Sequence, residues 1–142
     1  MKGERMLDTQ SMIWLATNDP KLDAEIVDDI AYFQHSYCVS MLSWIEFSHL
    51  LKNKKLRGVN IDIDSTKRLF DRLMIHTYLF DETDMKVLDG LPLLTIGGTK
   101  HADPFDRGII AQAMNAERTL ISSDRKFPSY RRYGLDLIEV GA

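Results

Sequence analysis

The sequence predicts an α/β fold built around a short parallel sheet. Helical and extended patterns alternate along the chain, as they do where helical crossovers join parallel strands. Apolar residues make up 44% and charged residues 27% of the sequence, which is usual for a globular protein. The length of 142 residues suits a single domain over 1–142, and no repeat, low-complexity tract or linker divides it.

The first half of the chain predicts two strands and three helices. One helix follows from apolar residues that recur at intervals of four, four and three, which is helical spacing. Polar turn residues separate the segments, and the first helix is expected to end near Pro20. In chain order, the predicted segments are a strand at 5–7, a helix at 12–16, a helix at 21–34, a strand at 36–40 and a helix at 41–55.

The second half continues the alternation. Residues 57–63 predict a turn, and residues 64–66 are expected to cap the helix that follows. Residues 81–83 open a short helix that ends at Gly90, and residues 97–100 are expected to form a flexible loop. The other predicted segments are strands at 78–80, 119–122 and 137–140 and a helix at 104–117.

Composition excludes several classes of protein. A net charge of −3 excludes a basic protein that binds nucleic acid through bulk charge. No apolar run approaches the roughly 20 residues that span a bilayer, and no apolar stretch of a signal peptide follows the first residues. The single cysteine, Cys38, excludes an internal disulfide and a multi-cysteine zinc site, and it is expected in the core. A cytoplasmic protein with no membrane contact is therefore expected.

Acidic residues fall where a parallel sheet places its ligands. Aspartate outnumbers glutamate by 15 to 6. Ligands bind beyond the carboxyl ends of parallel strands, and Asp8 and Asp124 each follow a predicted strand. Asp103 and Asp106 open a predicted helix. Helix capping is the alternative for each of them, and Asp103 fits the N-cap position because Pro104 follows it at the first helical position.

Glu46 lies inside a helix, where capping offers no explanation. Apolar side chains occupy almost the whole circumference of that helix, with Leu42 and Leu50 one turn away on either side. The helix is therefore expected to be largely buried. A carboxylate in that position needs a cation, a cluster of donors or an opening to water, and a buried ion pair with an arginine is the alternative.

The combined set of acids predicts a metal site. Carboxylates gathered without a cation repel one another, and ligation by oxygen alone suits Mg²⁺ or Mn²⁺. Such an ion binds phosphate and generates hydroxide from water. The predicted chemistry is metal-assisted hydrolysis of a phosphodiester bond, without a covalent nucleophile.

Four stretches carry these acids in a fixed order: 6–10 with 13–15, 39–46, 101–113 and 119–124. They resemble the PIN domain family and, more closely, the VapC-type toxin ribonucleases of toxin–antitoxin pairs. Their order and spacing extend over nearly the whole chain, and the third stretch is the most specific. The resemblance implies a PIN-like three-layer α/β/α fold, with roughly five short parallel strands flanked by helices.

The resemblance also implies a divalent-metal endoribonuclease that acts on RNA with Mg²⁺ or Mn²⁺. Its catalytic and metal-binding residues would be Asp8, Glu46, Asp106 and Asp124. Many relatives have His where this chain has Gln10 and Lys where it has Leu50, which bears on substrate contacts more than on metal binding.

Partners are implied as well, since VapC-type proteins form homodimers and bind a small antitoxin. Several apolar side chains on predicted helices are available for such contacts, with core packing as the alternative. They are Trp14, Leu15, Leu69, Phe70, Leu73 and Met74.

Other residues near the acids carry open alternatives. His101 is interpreted as a loop residue or a phosphate contact, and Arg107 as an RNA contact or the partner of a neighbouring acid. Ser122 and Ser123 are expected to bond substrate or nearby backbone. One basic group, expected as a solvated helix end, is Lys52, Lys54, Lys55 and Arg57. A second, interpreted as RNA contacts beside two tyrosines or as plain surface, is Arg125, Lys126, Arg131 and Arg132.

Three rival functions are weighed against this prediction. A phosphatase of the haloacid-dehalogenase type would use Asp8 as a covalent nucleophile, but that class has a second Asp where this chain has Gln10. A non-catalytic RNA-binding or interaction module on the same fold is opposed by the retention of all four acids. A metal-dependent DNA nuclease is disfavoured only by the family resemblance, which favours RNA.

Overall fold

The structure is a computed structural model that describes residues 3–53, 56 and 60–141. Its main sheet has five parallel strands in the order β3-β2-β1-β6-β7. The strands are β1 (Arg5–Leu7), β2 (Tyr37–Ser40), β3 (His76–Tyr78), β4 (Thr95–Ile96), β5 (Thr99–Lys100), β6 (Thr119–Ser122) and β7 (Asp136–Glu139). The helices are α1 (Thr9–Ala16), α2 (Ala24–Ala31), α3 (Met41–Lys52), α4 (Ile63–Arg72), α5 (Glu82–Gly90), α6 (Pro104–Asn115) and a 3-10 helix, Phe127–Tyr133.

The three layers follow from the alternation of side chains along the strands. Met6, Cys38 and Leu120 point to one face of the sheet, where they join an apolar cluster with α6 and the 3-10 helix. The next residue of each strand points to the other face and joins a cluster with α1, α2, α3 and α4. Helices therefore cover both faces, and the predicted α/β/α fold with five parallel strands is confirmed. Cys38 is buried in the core, as expected.

The sheet has its switch point between β1 and β6. From β1 the chain proceeds to β2 and β3 on one side, whereas β6 and β7 lie on the other side. The connections that leave β1 and β6 therefore diverge, and they open a crevice at the carboxyl ends of these two strands. Asp8 and Asp124 follow these strands and lie at this crevice.

Local chemistry shifts some predicted boundaries. The cap of α4 is Asp62, whose side chain accepts a hydrogen bond from the Ser65 N–H at 2.7 Å, so the expectation that 64–66 cap this helix was wrong. Strand β3 ends at Tyr78, where the prediction had it begin. The helix predicted over 21–34 is shorter, because Phe33 has a φ of 55° and lies outside α2.

Two elements were not predicted. The segment expected to be a flexible loop is the antiparallel hairpin β4–β5, in which Gly97 and Gly98 take φ values of 60° and 82° at the turn. These left-handed conformations suit a tight hairpin turn and favour glycine. The 3-10 helix after β6 ends at Gly134, which has a φ of 109°.

Helix α3 is less buried than expected. Its inner face carries Ser43, Trp44 and Phe47, whereas Met41 and Ile45 are exposed. The expectation of a largely buried helix was therefore wrong, because the distribution of apolar residues around a helix does not show which of them pack against other elements. Of the basic group expected at its end, Lys52 is exposed, and Lys54, Lys55 and Arg57 lie outside the described residues, as does part of the turn predicted at 57–63.

The apolar side chains considered for association mostly serve the core. Phe70 is fully buried, and Trp14, Leu15, Leu69 and Leu73 pack against the same cluster. Met74 is the exception, with 63% of its surface exposed. Across the residues that the structure describes, no helix has both the length and the apolar character needed to cross a membrane.

Candidate functional site

The four predicted acids line one cavity of about 260 Å³ at the switch point of the sheet. We call it the acid cavity, and its lining is Asp8, Thr9, Gln10, Ile13, Glu46, Leu50, Asp106, Ser123 and Asp124. Strands β1 and β6 bring Asp8 and Asp124 to it, while α3 and α6 bring Glu46 and Asp106. Residues far apart in sequence thus meet at the crevice where parallel sheets bind ligands.

Asp8 is both a helix cap and part of the acid cavity. Its Oδ1 accepts a hydrogen bond from the Ser11 N–H at 2.9 Å, and its Oδ2 accepts one from the Ser122 hydroxyl at 2.6 Å. Burial raises the pKa of Asp8, against the lowering effect of these hydrogen bonds, and the charge of Asp124 raises it further. Capping and ligand binding are therefore compatible roles for this carboxylate.

Ser122 links the acids that follow β1 and β6. Its hydroxyl donates to Asp8 and accepts a hydrogen bond from the Asp124 N–H at 3.0 Å. The Asp124 carboxylate accepts a further bond from the Lys126 N–H at 2.9 Å, which orients it at the start of the next turn. The sequence suggested backbone or substrate bonding for Ser122 and Ser123; of the two, Ser122 orients the acids, while Ser123 lines the cavity.

Asp103 and Asp106 play different parts at the start of α6. Asp103 is the N-cap and accepts hydrogen bonds from the Phe105 and Asp106 N–H groups at 2.9 and 3.1 Å. The Asp106 side chain projects into the acid cavity and is 23% exposed. Burial, and then the negative charges of Asp103, Asp124 and Glu46, raise the pKa of Asp106 to about 6, although a hydrogen bond with His101 opposes this rise.

A glycine in α6 leaves room for a leucine side chain of α3. A Cβ at Gly108 in α6 would lie 2.6 Å from Cδ1 of Leu42 in α3. Real Cβ atoms essentially never come so close, so a side chain at this position would force the end of the Leu42 side chain to shift. These two helices bring Asp106 and Glu46 to the same cavity.

Glu46 is half-buried and opens onto the acid cavity. None of the ion pairs among the described residues involves it, so the alternative of a buried pair with an arginine is not observed there. Its side chain instead lines the cavity, with Leu50 one turn away on the same wall. The carboxylate therefore remains available to a ligand.

His101 lies in the loop before α6, which is one of the alternatives considered, and Arg107 is bonded to backbone, while its role as an RNA contact stays a prediction. His101 is a buried residue whose Nδ1 lies 2.6 Å from the Tyr130 hydroxyl and whose Nε2 lies 3.3 Å from the Asp106 carboxylate. The Arg107 guanidinium donates to the carbonyl oxygens of Leu91 and Pro92 at 2.9 and 3.0 Å, and pairs with no acid of the described chain. Arg107 thus ties the start of α6 to the segment after α5.

The second basic group lies on the surface after β6. Arg125 and Lys126 are exposed, and the Arg132 guanidinium lies 5.0 Å from the ring of Tyr133. Arg131 donates to the Glu139 carboxylate at 3.1 Å and to a backbone carbonyl, so its charge is partly engaged. In the described chain, none of these four side chains lines the acid cavity.

The carboxylate chemistry of the lining, rather than a preformed ligand cluster, would suit a small divalent cation that keeps some of its water. Among the described residues, no three His, Cys, Asp or Glu side chains are close enough to ligate one ion together. Mg²⁺ commonly binds through one or two carboxylates and keeps several waters, so direct contact with every acid is not needed. Neighbouring acids raise the pKa values of Asp8 and Asp106, and a bound cation would relieve this repulsion.

A larger groove of about 530 Å³ lies elsewhere, along the exposed side of α3. Its wall is mainly apolar, with Met41, Trp44 and Ile45 from α3 and Ile63 from α4. None of its described lining residues is acidic, so this groove offers no carboxylate ligands comparable to those of the acid cavity.

Comparison with known proteins gives the family. The sequence pattern of the PIN domain matches residues 5–133, and the chain belongs to the PIN domain family. No curated protein sequence matches the chain. The likeness to solved structures, by contrast, extends over the whole fold.

Three solved structures illustrate that likeness. A chain of the VapBC2 complex of Rickettsia felis, bound to a DNA fragment from its promoter, has a TM-score of 0.71 at 14% identity, covering 96% of this chain and 98% of that chain. The DNA-bound VapBC of Salmonella typhimurium gives 0.64 at 16% identity, covering 98% of both chains. A toxin–antitoxin complex of Klebsiella pneumoniae gives 0.58 at 15% identity, covering 86% and 88%.

Proposed function

We propose that this chain is a divalent-metal-dependent endoribonuclease that acts as the toxin of a toxin–antitoxin pair. A single PIN domain over 1–142 would carry the activity, in the cytoplasm. The observation that carries the proposal is the convergence of four carboxylates on one cavity at the switch point of the sheet. Membership of the PIN family and the fold shared with VapBC complexes support it.

In this proposal, Asp8, Glu46, Asp106 and Asp124 are the catalytic residues that hold Mg²⁺ or Mn²⁺. When bound, such an ion activates a water molecule and neutralises charge that develops on the phosphate. The protein supplies the fixed arrangement of acids that makes this possible. Oriented carboxylates need no rearrangement during the reaction, which is the main advantage of a preorganised site.

Neighbouring groups hold those acids in place. Ser122 bridges Asp8 to the backbone of Asp124, so the acids that follow β1 and β6 keep a fixed spacing. Asp103 occupies the free N–H groups at the start of α6 and leaves the Asp106 carboxylate available to the cavity. At this helix start, Asp103 thus serves as the cap and Asp106 as the proposed metal ligand.

RNA would reach the acids across the surface that follows β6. Arg125, Lys126 and Arg132 are exposed there, and Tyr133 offers an aromatic face on which a base stacks. With Gln10 and Leu50 on the cavity wall, contacts to the scissile region differ from those of relatives with His and Lys at these places. Arg131 is expected to contribute less, since it is bonded to Glu139.

A small antitoxin and a second copy of this chain are the proposed protein partners. Of the structures with similar folds, that of Klebsiella pneumoniae is named a toxin–antitoxin complex and two others are named VapBC complexes, which supports the first partner. Light scattering of the purified protein at micromolar concentration tests the second. A dimer is expected, and a monomer of the mass expected from the sequence contradicts it.

Cleavage assays test the proposed activity. Purified protein without antitoxin is incubated with total RNA, and with single-stranded DNA of matched length, in Mg²⁺, in Mn²⁺ and in EDTA. RNA cleavage that needs the divalent ion is expected. Cleavage that persists in EDTA contradicts the metal mechanism, and cleavage of DNA alone assigns the site to a DNA nuclease.

A further inference from the structure

His101 is held at a fixed position between the hairpin and α6. Its backbone N–H donates to the Leu94 carbonyl at 2.8 Å, and its side chain is only 3% exposed. The rings of Tyr130 and Phe127 pack edge-on or tilted against the imidazole, with centroids 5.5 and 6.2 Å away. Both aromatic residues come from the 3-10 helix that follows Asp124, so the ring joins two segments of the site.

Both ring nitrogens of His101 have partners. Nε2 lies 3.3 Å from the Asp106 carboxylate, and Nδ1 lies 2.6 Å from the Tyr130 hydroxyl. A carboxylate in the ionised form that would bind a cation only accepts hydrogen bonds, so Nε2 has to carry a proton to bond Asp106 in that form. In a neutral ring Nδ1 then has no proton and accepts from the Tyr130 hydroxyl, which fixes the tautomer.

We propose that His101 is a positioning residue that aims the Asp106 carboxylate at the cation, and that Tyr130 holds the imidazole in the tautomer this requires. The inference rests on the proposed function, because it assigns a purpose to the contact with a metal-binding acid. A ligating carboxylate is usually held by hydrogen bonds of its own, and losing such a support weakens metal binding. The interpretation of His101 as a phosphate contact does not apply, since its nitrogens are committed and its ring is buried.

Tyr130 is well suited to that role. It is fully buried in the apolar cluster beneath α6, where a hydroxyl without a partner would be costly. His101 provides the partner. The Tyr130 hydroxyl is therefore hydrogen-bonded to the same histidine that contacts Asp106.

The test measures Mn²⁺ affinity by calorimetry in four variants. His101→Leu removes the donor to Asp106, and Tyr130→Phe removes one oxygen and leaves the packing unchanged. His101→Gln keeps a donor group on the side chain. Tyr37→Phe is the matched control, because Tyr37 is also a buried tyrosine whose hydroxyl bonds a carboxylate, that of Asp29, away from the acid cavity.

We expect His101→Leu to weaken Mn²⁺ binding about 10-fold or more, the usual scale for losing such a support. Tyr130→Phe weakens it less, His101→Gln recovers part of the loss, and Tyr37→Phe leaves the affinity unchanged. A spectroscopic readout needs no metal: the imidazole ¹⁵N shifts of the metal-free protein should show the Nε2–H tautomer, and Tyr130→Phe should mix the two tautomers.

The outcomes separate this inference from the proposed function. If the wild-type protein binds no Mn²⁺, the proposed function is overturned, and the positioning role with it. If wild type binds Mn²⁺ and folded His101→Leu binds equally well, only the positioning role is overturned. If His101→Leu does not fold, Tyr130→Phe decides, and wild-type affinity together with an unchanged tautomer overturns the inference.

Discussion

At the start of the central strands, acids are buried together with the groups that neutralise them, whereas at the carboxyl ends they line an open cavity. Glu4, just before β1, is 1% exposed and accepts hydrogen bonds from the Arg118 guanidinium at 3.0 Å and the Ser36 hydroxyl at 3.1 Å. Asp29 is bonded by Arg5 and Tyr37. In the described chain, no lysine or arginine side chain lines the acid cavity and neutralises its carboxylates in this way.

The pKa values at the two ends move in opposite directions. Burial pushes the pKa of Asp29 up, but hydrogen bonds from Tyr37 and His35 and the charges of His35 and Arg5 hold it below its usual value. Burial and neighbouring acids raise the pKa of Asp106 to about 6. The contrast indicates that one set of carboxylates is neutralised within the fold, whereas the other lacks such partners, which is why we propose that it binds a cation.

The largest expected effect separates the two acids at the start of α6. Asp106→Asn should keep the fold and cut RNA cleavage by roughly 10²-fold or more, the scale of losing one strong electrostatic group in the transition state. Asp103→Asn should cost little, because asparagine is also a good N-cap. Cleavage rates and melting temperatures of both variants check this. An inactive but folded Asp103→Asn beside an active Asp106→Asn reverses the assignment.

At the other end of the sheet, removing a cation should affect stability. Arg118→Met leaves the Glu4 carboxylate buried without its charged partner, and we expect the free energy of unfolding to fall by about 3–5 kcal/mol. The double variant with Glu4→Leu should recover much of this loss, since no uncompensated charge remains. Urea denaturation measures both. A loss below about 1 kcal/mol in the single variant would show that Glu4 does not depend on Arg118.

A smaller effect is expected in the pH dependence of stability without metal. The folded protein keeps a proton on Asp106 up to about pH 6, whereas the unfolded chain releases it near its usual pKa of 3.8. The folded state binds more protons in between, so this group lowers stability as pH rises through that window. Asp29 acts the other way, and its stabilising contribution is lost as pH falls below 3.8.

Melting temperatures in EDTA at several pH values isolate the Asp106 contribution. From pH 4 to pH 6, the melting temperature of Asp106→Asn should rise relative to that of wild type, because wild type loses stability between the two pKa values. Added Mg²⁺ should reverse the trend, because a cation favours the ionised carboxylate. Parallel curves for the two proteins would mean that Asp106 titrates normally.

The sequence was sufficient for the parts of the fold that local patterns determine. The bounds of β1 and β6 were predicted correctly, and they placed Asp8 and Asp124 at the ends of neighbouring strands. The hairpin at 95–100 was not predicted, since two residues per strand are too few for a pattern. The cap at Asp62 was missed because Asp64 offered an equally good local signal.

The surroundings of the candidate site were harder to predict than its acids. The partner of His101 is Tyr130, which lies 29 residues away and comes from a 3-10 helix with no periodic signal. The Arg107 guanidinium donates to two backbone carbonyl oxygens, and such a bond depends only on which backbone segment packs nearby. Contacts of this kind depend on the packing of α6, and no local spacing determines them.

Binding of a divalent ion to the metal-free protein tests the central claim most directly. Mn²⁺ is titrated into wild type, into the double variant Asp8→Asn with Asp106→Asn, and into Asp29→Asn as the control from the opposite end of the sheet. The account predicts binding by wild type and by Asp29→Asn, with a raised melting temperature in each, and no binding by the double variant. Absence of binding by wild type, or equal binding by the double variant, would contradict it.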